Sequence, residues 1–309
     1  MSRGRDRPPR LELHVDISPP APPPTLEELI ERSKVVGPSA SGPGPTELRR
    51  KVERLSMGDR RAFGELAPVA GLTVADTWGA VTTAFGATAD AAVVTAARTI
   101  DATRAAVARV RAVSAAGGRV AIATGAPASL LTLHLVFARL VVDEGGELID
   151  LSDFGPIRAD GRTSRRLRWV GGVAVVSDGR ALFDSRDGEA AREWMFAIPR
   201  PALAVADGPF AEVAWESGIE VVAFTGLDRP ALAVAGSTAG RCTLVPMHTD
   251  REPRAYRPIQ DLVAATAAAT PGPTRPVTRA GAEALTGADC GPGAEIDLAG
   301  PPSSPGPAV

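Results

Sequence analysis

The feature that most constrains the fold is a short apolar stretch at residues 119–124, RVAIAT, which precedes Gly125, Ala126 and Pro127. The stretch has the length and composition of a buried strand, and the amphipathic run from residue 128 has helical spacing. The pattern therefore predicts a strand, a tight turn and a helix. In open α/β sheets, ligands bind at the edge where such turns lie. Free amides and the positive end of a helix dipole there favour an anion, above all phosphate.

The same alternation continues along the chain. Further strands are predicted at 146–151, 202–206, 219–224 and 241–246, and helices at 128–143, 187–197, 209–217 and 230–236. Short apolar strands that alternate with helices are typical of a parallel sheet with helices on both faces. Residues 165–184 are predicted to form a hairpin between the second and third strands, with Asp178-Gly179 at its turn.

The chain ahead of the first strand is predicted to be helical. Helices are expected at 25–36, 46–57, 73–85 and 88–116, with Thr46 as an N-cap and Gly117-Gly118 after the last helix. Dense proline and glycine at both ends predict disorder.

The predicted fold class is therefore α/β, a Rossmann-like parallel sheet with an inserted hairpin, preceded by a helical region and flanked by disordered tails. The expected segments are a mostly disordered stretch with one short helix (1–45), a helical region (46–118), the Rossmann-like domain (119–268) and a disordered tail (269–309).

Composition narrows the classes of partner. The formal net charge is −2, so no global positive field draws the chain to nucleic acid or to an anionic membrane. The two cysteines, Cys242 and Cys290, form neither a metal-ligand pattern nor a disulfide framework. No apolar run has the length of a membrane span, and the charged N-terminus lacks the apolar core of a signal peptide. We expect a cytoplasmic protein without nucleic-acid or membrane partners, and the oligomeric state stays open.

Polar residues follow the third main strand, where Asp207 and Gly208 stand. A carboxylate at that place could orient water, act as a base or hold a divalent ion such as Mg²⁺ or Mn²⁺. Asp207 is equally well placed to cap the helix at 209–217. The sequence leaves both roles open and leaves the cofactor unknown.

The other strand ends supply further candidates. Asp228 and Arg229 follow the fourth strand, where Asp228 could cap a helix and Arg229 could bind phosphate. His248 and Asp250 follow the fifth strand and could support acid–base chemistry, with a polar surface loop as the alternative. His134, in the middle of a helix, is interpreted as a satisfied helix residue.

Several known chemistries lack their motifs. No GxGxxG follows a strand, and the P-loop lysine motif, the GxSxG elbow and HExxH are absent from the sequence. The segment around Asp178 is superficially similar to the nucleophile loop of haloacid-dehalogenase phosphatases, but Val176 stands where that loop needs an aspartate.

Taken together, six blocks resemble a family of actinobacterial proteins catalogued as phosphatases, over most of 46–262. They are Gly58-Asp59-Arg60, ATGAP (123–127), RWVGGVA (168–174), VADGPFAE (205–212), DRPALAVA (228–235) and VPMHTDREPRAYRP (245–258). The specific part of the resemblance is the order and spacing of the blocks. It implies a phosphatase reaction and adds Asp59 and Arg60 to the candidate residues. Arg168 is a candidate from the sequence itself, because Arg165, Arg166 and Arg168 form a basic cluster that could face an anionic substrate or lie on a solvated strand edge.

The departures from the family lie at the same strand ends. The family has His at the position of Ala126 and Asp-His-Gly where this chain has Asp207-Gly208-Pro209. It has Asn-Asp at Asp228-Arg229 and an Asp-Asp-Asn run at His248-Thr249-Asp250. Asp207 alone keeps its carboxylate. The resemblance thus implies a divergent member whose chemistry has been reduced or passed to other residues.

The first functional hypothesis is a phosphatase-like hydrolase of a small phosphorylated metabolite. Loop amides from Gly125 to Ser129 would hold the phosphate, and Thr124 belongs to the same candidate binding set. Asp207 would orient water or a divalent ion, and Arg60, Arg168 or Arg229 would offset the phosphate charge. The alternative is a non-catalytic protein that binds a phosphorylated or nucleotide-like ligand. A third hypothesis makes the Pro-rich tails the working part, as polyproline segments for partners.

Overall fold

The computed structural model describes residues 23–38, 43–152, 157–158, 165–186 and 188–269, which belong to one compact unit. Most of the predicted disordered tails, and Cys290, lie outside the described residues. The helices are α1 (Leu26–Arg32), α2 (Pro45–Ser56), α3 (Val74–Phe85), α4 (Ala96–Ala115), α5 (Pro127–Asp143), α6 (Glu189–Ala197), α7 (Gly208–Glu216), α8 (Ala231–Ala239) and α9 (Arg257–Ala269). Within this described part, no helix has the length and apolar character needed to cross a membrane.

The strands form one mostly parallel sheet. They are β1 (Arg119–Ala123), β2 (Glu147–Leu148), β3 (Ile157–Arg158), β4 (Arg166–Val170), β5 (Val173–Ser177), β6 (Leu182–Phe183), β7 (Leu203–Asp207), β8 (Glu220–Thr225) and β9 (Cys242–Pro246). Their order is β3-β4-β5-β1-β7-β8-β9, with β2 beside β1 and β6 beside β5. Strands β5, β1, β7, β8 and β9 run parallel, so their carboxyl ends share one edge. The predicted α/β class is confirmed.

Alternation along the central strands explains why both faces of the sheet are covered. In β1, Val120 and Ile122 enter the core under α4, α5 and α9, whereas Ala121 and Ala123 face the core under α6, α7 and α8. Strand β7 repeats this division of large and small residues. Alanine on the second face leaves room for the buried rings of Trp194 and Phe210, which pack edge to face.

The N-terminal helices correct two expectations. Helix α4 begins at Ala96 rather than at residue 88, because the preceding residues form a turn and Val94 makes an isolated bridge to Gly37. Helix α2 begins at Pro45 with Gly44 at the N-cap, so Thr46 lies inside the helix and was wrongly predicted as its cap. Proline at the first helical position needs no amide partner there, which explains the earlier start.

The segment 165–184 contains two turns. Strands β4 and β5 are joined by Gly171-Gly172, whose φ angles of 57° and 82° suit the two-residue turns that match strand twist. Asp178-Gly179 forms the second turn, between β5 and β6. Strand β5 lies beside the end of β1, and the strand predicted at 146–151 is reduced to β2 beside its start. The hairpin therefore contributes a strand next to the centre of the sheet.

Candidate functional site

The parallel strands end at a cleft of about 690 Å³. The structure brings eight of the predicted residues to its wall: Gly125, Ala126, Asp207, Gly208, Asp228, Arg229, His248 and Asp250. They come from the ends of four neighbouring strands, which is why residues far apart in sequence meet here. Thr124 is buried, and it, Ser129, Asp59, Arg60 and Arg168 are not among the lining residues.

The backbone amides at the start of α5 are already bonded within the protein. The Gly125 amide donates to Asp207 Oδ1 at 2.9 Å, and the Ala126 amide donates to Thr124 Oγ1 at 3.1 Å. The Ser129 amide donates to the Ala126 carbonyl at 3.0 Å, and Pro127 has no amide hydrogen. The expectation that these amides are free for a phosphate is therefore wrong, because the turn uses them to hold itself and Asp207.

The first turns of α7 and α8 also border this cleft. Gly208 and Pro209 begin α7, and Ala231 begins α8. Neither helix has a hydrogen bond from a side-chain cap. The positive end of each dipole is thus left to solvent or to a ligand, and an anion is favoured at this place.

Asp207 is a buried carboxylate in the cleft wall. It occupies the N-cap position of α7, but its side chain does not cap that helix and turns toward α5 instead. It is 2% exposed, and burial raises its pKa above the ordinary range. The charge of His134, the Thr124 hydroxyl, the Gly125 amide and Arg229 oppose that rise. Of the two roles that the sequence left open, the capping role is wrong.

His134 lies behind Asp207, on the buried face of α5. Its Nδ1 is 3.0 Å from the Leu130 carbonyl, and its Nε2 is 3.5 Å from Asp207 Oδ2. Its ring packs edge to face on Phe224, with 5.2 Å between the centroids. Burial lowers the pKa of the imidazole, although Asp207 opposes this. Nδ1 is satisfied within the helix but Nε2 has no hydrogen-bond partner there, so the interpretation of His134 as a satisfied helix residue is correct for Nδ1 and wrong for Nε2.

A signal for His134 was present in the sequence. Pro127, Leu130 and His134 are spaced by three and four residues, which places them on one stripe of α5, and all three are buried. That stripe faces the sheet whose edge carries the site. Sequence reasoning could therefore have placed His134 below the turn at Gly125.

His248 is held by the N-terminal segment of the chain. Its Nε2 is 2.9 Å from the Gly37 carbonyl, and its amide donates to the Val35 carbonyl at 2.8 Å. The Tyr256 hydroxyl donates to the His248 carbonyl at 2.8 Å. Burial lowers the pKa of His248, so its ring is held mainly in the neutral form. Asp250 is exposed at the rim of the cleft.

Arg229 takes part in a buried ion pair that sequence reasoning missed. Its Nη1 donates to Glu212 Oε1 at 3.1 Å, and its Nη2 donates to the Arg186 carbonyl at 3.0 Å. Glu212 Oε2 accepts the Glu65 amide at 3.0 Å, and burial raises the pKa of this carboxyl. The pair joins α7, the segment before α8 and the loop at Glu65. Asp228 does not cap α8.

Asp59 and Arg60, which the resemblance added, and Arg168 lie outside the cleft wall. Asp59 Oδ2 accepts a hydrogen bond from Arg54 Nε at 2.7 Å. Arg60 Nη1 donates to the Gly64 and Leu66 carbonyls at 2.6 and 2.8 Å. Both therefore stabilise the loop after α2. Arg168 is exposed on β4.

A model of the family described as Phosphatase matches residues 26–271. The chain belongs to the Phosphatase family. It is 29% identical over 157 residues to the protein named Phosphatase SCO2771 of Streptomyces coelicolor, an alignment that covers 49% of this chain and 58% of that protein. The aligned part thus spans little more than half of the relative. No solved structure matches the chain.

The positions at which the sequence was expected to depart from the Phosphatase family pattern lie in the cleft. Ala126, Gly208-Pro209, Asp228-Arg229 and His248–Asp250 all line it. Substitutions at these positions would therefore bear on ligand chemistry rather than on the core.

Three cations that line the cleft were not among the predicted site residues. Lys51 lies on α2, Arg61 in the loop after it, and Arg186 ahead of α6. Lys51 Nζ donates to the Asp228 carbonyl at 3.0 Å, and Arg61 and Arg186 are exposed. Six carboxyl groups of the described residues line the same cleft (Glu65, Asp184, Asp207, Glu212, Asp228 and Asp250), so these three cations and Arg229 offset only part of the charge that those groups carry when ionised.

The donor set does not fit a metal site built from three protein ligands. Among the described residues no group of three or more His, Cys, Asp or Glu is arranged to hold an ion. We therefore derive no chemical step through a metal.

Proposed function

We propose that this protein is a phosphatase-like hydrolase of a small phosphorylated molecule. The observation that carries the proposal is a buried carboxylate, Asp207, at the end of a central strand and beside two uncapped helix N-termini. Membership of the Phosphatase family supports the reaction class.

In this proposal the phosphate binds at the first turns of α7 and α8. Amides there are not bonded to a side-chain cap, whereas three of those at the start of α5 are bonded within the turn. Lys51, Arg61 and Arg186 would balance the remaining phosphate charge. Preorganised dipoles and charges of this kind stabilise the extra negative charge of the transition state.

Asp207 would act as the base in the same proposal. Its ionised carboxylate takes a proton from water at Oδ1 while the water oxygen forms a bond to phosphorus. The bond from phosphorus to the leaving oxygen breaks, and that oxygen takes a proton from solvent. The raised pKa of Asp207 makes its carboxylate a stronger base than an exposed aspartate. His248 and Asp250, which follow β9 and line the cleft, would contact the leaving group in this proposal.

The test is phosphate release by purified protein from sugar phosphates, nucleotides and phosphorylated amino acids, with and without Mg²⁺ or Mn²⁺. Asp207→Asn should lower turnover by about 10²-fold or more, the usual contribution of a positioned base. Asp261→Asn, an exposed carboxylate on α9, is the matched control and should retain turnover. Equal turnover in Asp207→Asn and wild type would reject the assignment of Asp207.

A second function is a non-catalytic binding protein for a phosphorylated or nucleotide-like ligand. The observation that favours it is Ala126, an apolar residue that lines the cleft at a position where the resemblance implies a His. In that case inorganic phosphate or a nucleotide should raise the melting temperature of the protein without being consumed. Consumption of the ligand would reject this second function.

A further inference from the structure

Two buried polar atoms face each other beneath the cleft. Asp207 Oδ2 and His134 Nε2 are 3.5 Å apart, and neither atom has a hydrogen-bond partner. The side chains are 3% and 0% exposed. Leaving such groups unsatisfied in an apolar interior is costly, and the polar atom that lies 3.5 Å from His134 Nε2 and can relieve its cost is Asp207 Oδ2.

The proton positions follow from the neighbours. The Leu130 carbonyl can only accept, so His134 Nδ1 carries a hydrogen. Nε2 of a neutral ring is then a bare acceptor, and so is Oδ2 of an ionised Asp207. Two acceptors at this distance repel each other, which means that one proton must lie between them. It is either on Oδ2, with both groups neutral, or on Nε2, with both groups charged.

We propose that His134 is a positioning residue for Asp207, and that one proton shared between Nε2 and Oδ2 holds this carboxylate with Oδ1 at the cleft wall. The role in turnover rests on the proposed function. When the proton lies on Nε2, Asp207 is ionised although the buried pair has no net charge. The ionised Asp207 is then available as a base although its surroundings are apolar. It can take a proton from water at Oδ1 while His134 keeps the proton on Nε2.

The surroundings support a fixed pair. The imidazole is held by Leu130 and by the ring of Phe224. The other groups that act on the charge of Asp207 are the Thr124 hydroxyl, the Gly125 amide and Arg229, and Tyr256 is close enough for its own ionisation to be opposed by Asp207. Of these, His134 has the largest effect in favour of the ionised carboxylate.

The pairing can be tested without any turnover. The chain has three histidines, so ¹⁵N-histidine labelling gives a small set of ring signals, and His134→Gln assigns those of His134. We expect Nδ1 of His134 to carry a hydrogen. We expect the ¹⁵N chemical shift of Nε2 to change in Asp207→Asn and to stay the same in Asp261→Asn. An Nε2 chemical shift that is the same in wild type and in Asp207→Asn would overturn the proposal, even in a protein that releases phosphate.

The role in turnover is tested by His134→Leu and His134→Gln, both checked for wild-type thermal stability. Removing the imidazolium raises the pKa of Asp207, so His134→Leu should lower kcat about tenfold or more and move the acidic limb of its pH profile up by about one unit, with little change in KM. His134→Gln keeps a donor toward Oδ2 and should recover part of both effects. Two folded variants with the wild-type pH profile would reject the positioning role. If no substrate in the panel releases phosphate, the proposed function is rejected. If the Nε2 chemical shift still depends on Asp207, the pairing of His134 with Asp207 is supported even then.

Discussion

Replacement of Arg229 by methionine should destabilise the protein in a way that depends on pH. Met has a similar length, but it removes the guanidinium that pairs with Glu212 at 3.1 Å. Glu212 is 3% exposed in its side chain and then keeps the Glu65 amide as its remaining donor among the contacts described above. An uncompensated buried carboxylate of this kind costs about 3–5 kcal/mol.

The free-energy cost of the unpaired carboxylate has an upper limit, because Glu212 can bind a proton and become neutral. Its ordinary pKa of 4.5 lies about 2.5 units below pH 7, so protonation there caps the cost at about 3.4 kcal/mol. At pH 5 the same cap is about 0.7 kcal/mol. When the pKa of a carboxyl is raised in the folded state, the protein loses stability as the pH increases above the pKa of that carboxyl in the unfolded chain. Because Arg229 opposes this rise in the wild type, the variant should lose more.

The assay is urea unfolding of both proteins at pH 5 and pH 7. We expect the free energy of unfolding of Arg229→Met to fall short of wild type by up to about 3 kcal/mol at pH 7, because wild-type Glu212 already bears part of the cost, and by less than about 1 kcal/mol at pH 5. Adding Glu212→Gln to the variant should remove most of this pH dependence. An equal loss at the two pH values would refute the reasoning, because it would trace the effect to packing alone.

Other substitutions follow from local geometry. Gly125→Ala places a Cβ 2.9 Å from the Ser185 carbonyl and 3.3 Å from Asp207 Oδ1, so we expect a loss of about 1–3 kcal/mol in thermal unfolding, whereas Gly79→Ala, with open space in α3, should stabilise by about 0.4–1 kcal/mol. Equal effects of these two changes would contradict the packing argument. Thr73→Ala removes the side-chain cap of α3 and should cost about 0.5–2 kcal/mol, and an unchanged melting temperature would show that the cap contributes nothing.

The strand-end candidates were predictable because of how parallel sheets are built. Asp207, Asp228 and His248 each follow an apolar strand, and parallel strands bring such positions to one edge. What those side chains do there was not predictable. Whether Asp207 caps α7 or contacts α5 depends on the side-chain direction and on which amides are near, and spacing does not contain that information.

Residues that reach the cleft from other layers were missed for a related reason. Lys51 comes from α2 and Arg61 from the loop after it, and a polar residue on such an element has the same pattern whether it faces solvent or a cleft. Glu212 stands one turn into α7, where a charge is ordinarily solvated, and its burial is created by Arg229 and by the loop at Glu65.

The sequence by itself determined the order of most strands and helices, the α/β class and which polar residues lie at the carboxyl edge of the sheet, because hydrophobic periodicity and turn residues are local properties. Only the tertiary structure decided which amides at the turn are already bonded, which ion pairs are buried and which atoms lie opposite each other beneath the cleft. Those features depend on distances of a few ångströms between residues that are far apart in the chain, as between His134 and Asp207. Burial then changes the chemistry of the same side chains, since the pKa of a carboxyl or an imidazole depends on the water and the charges around it.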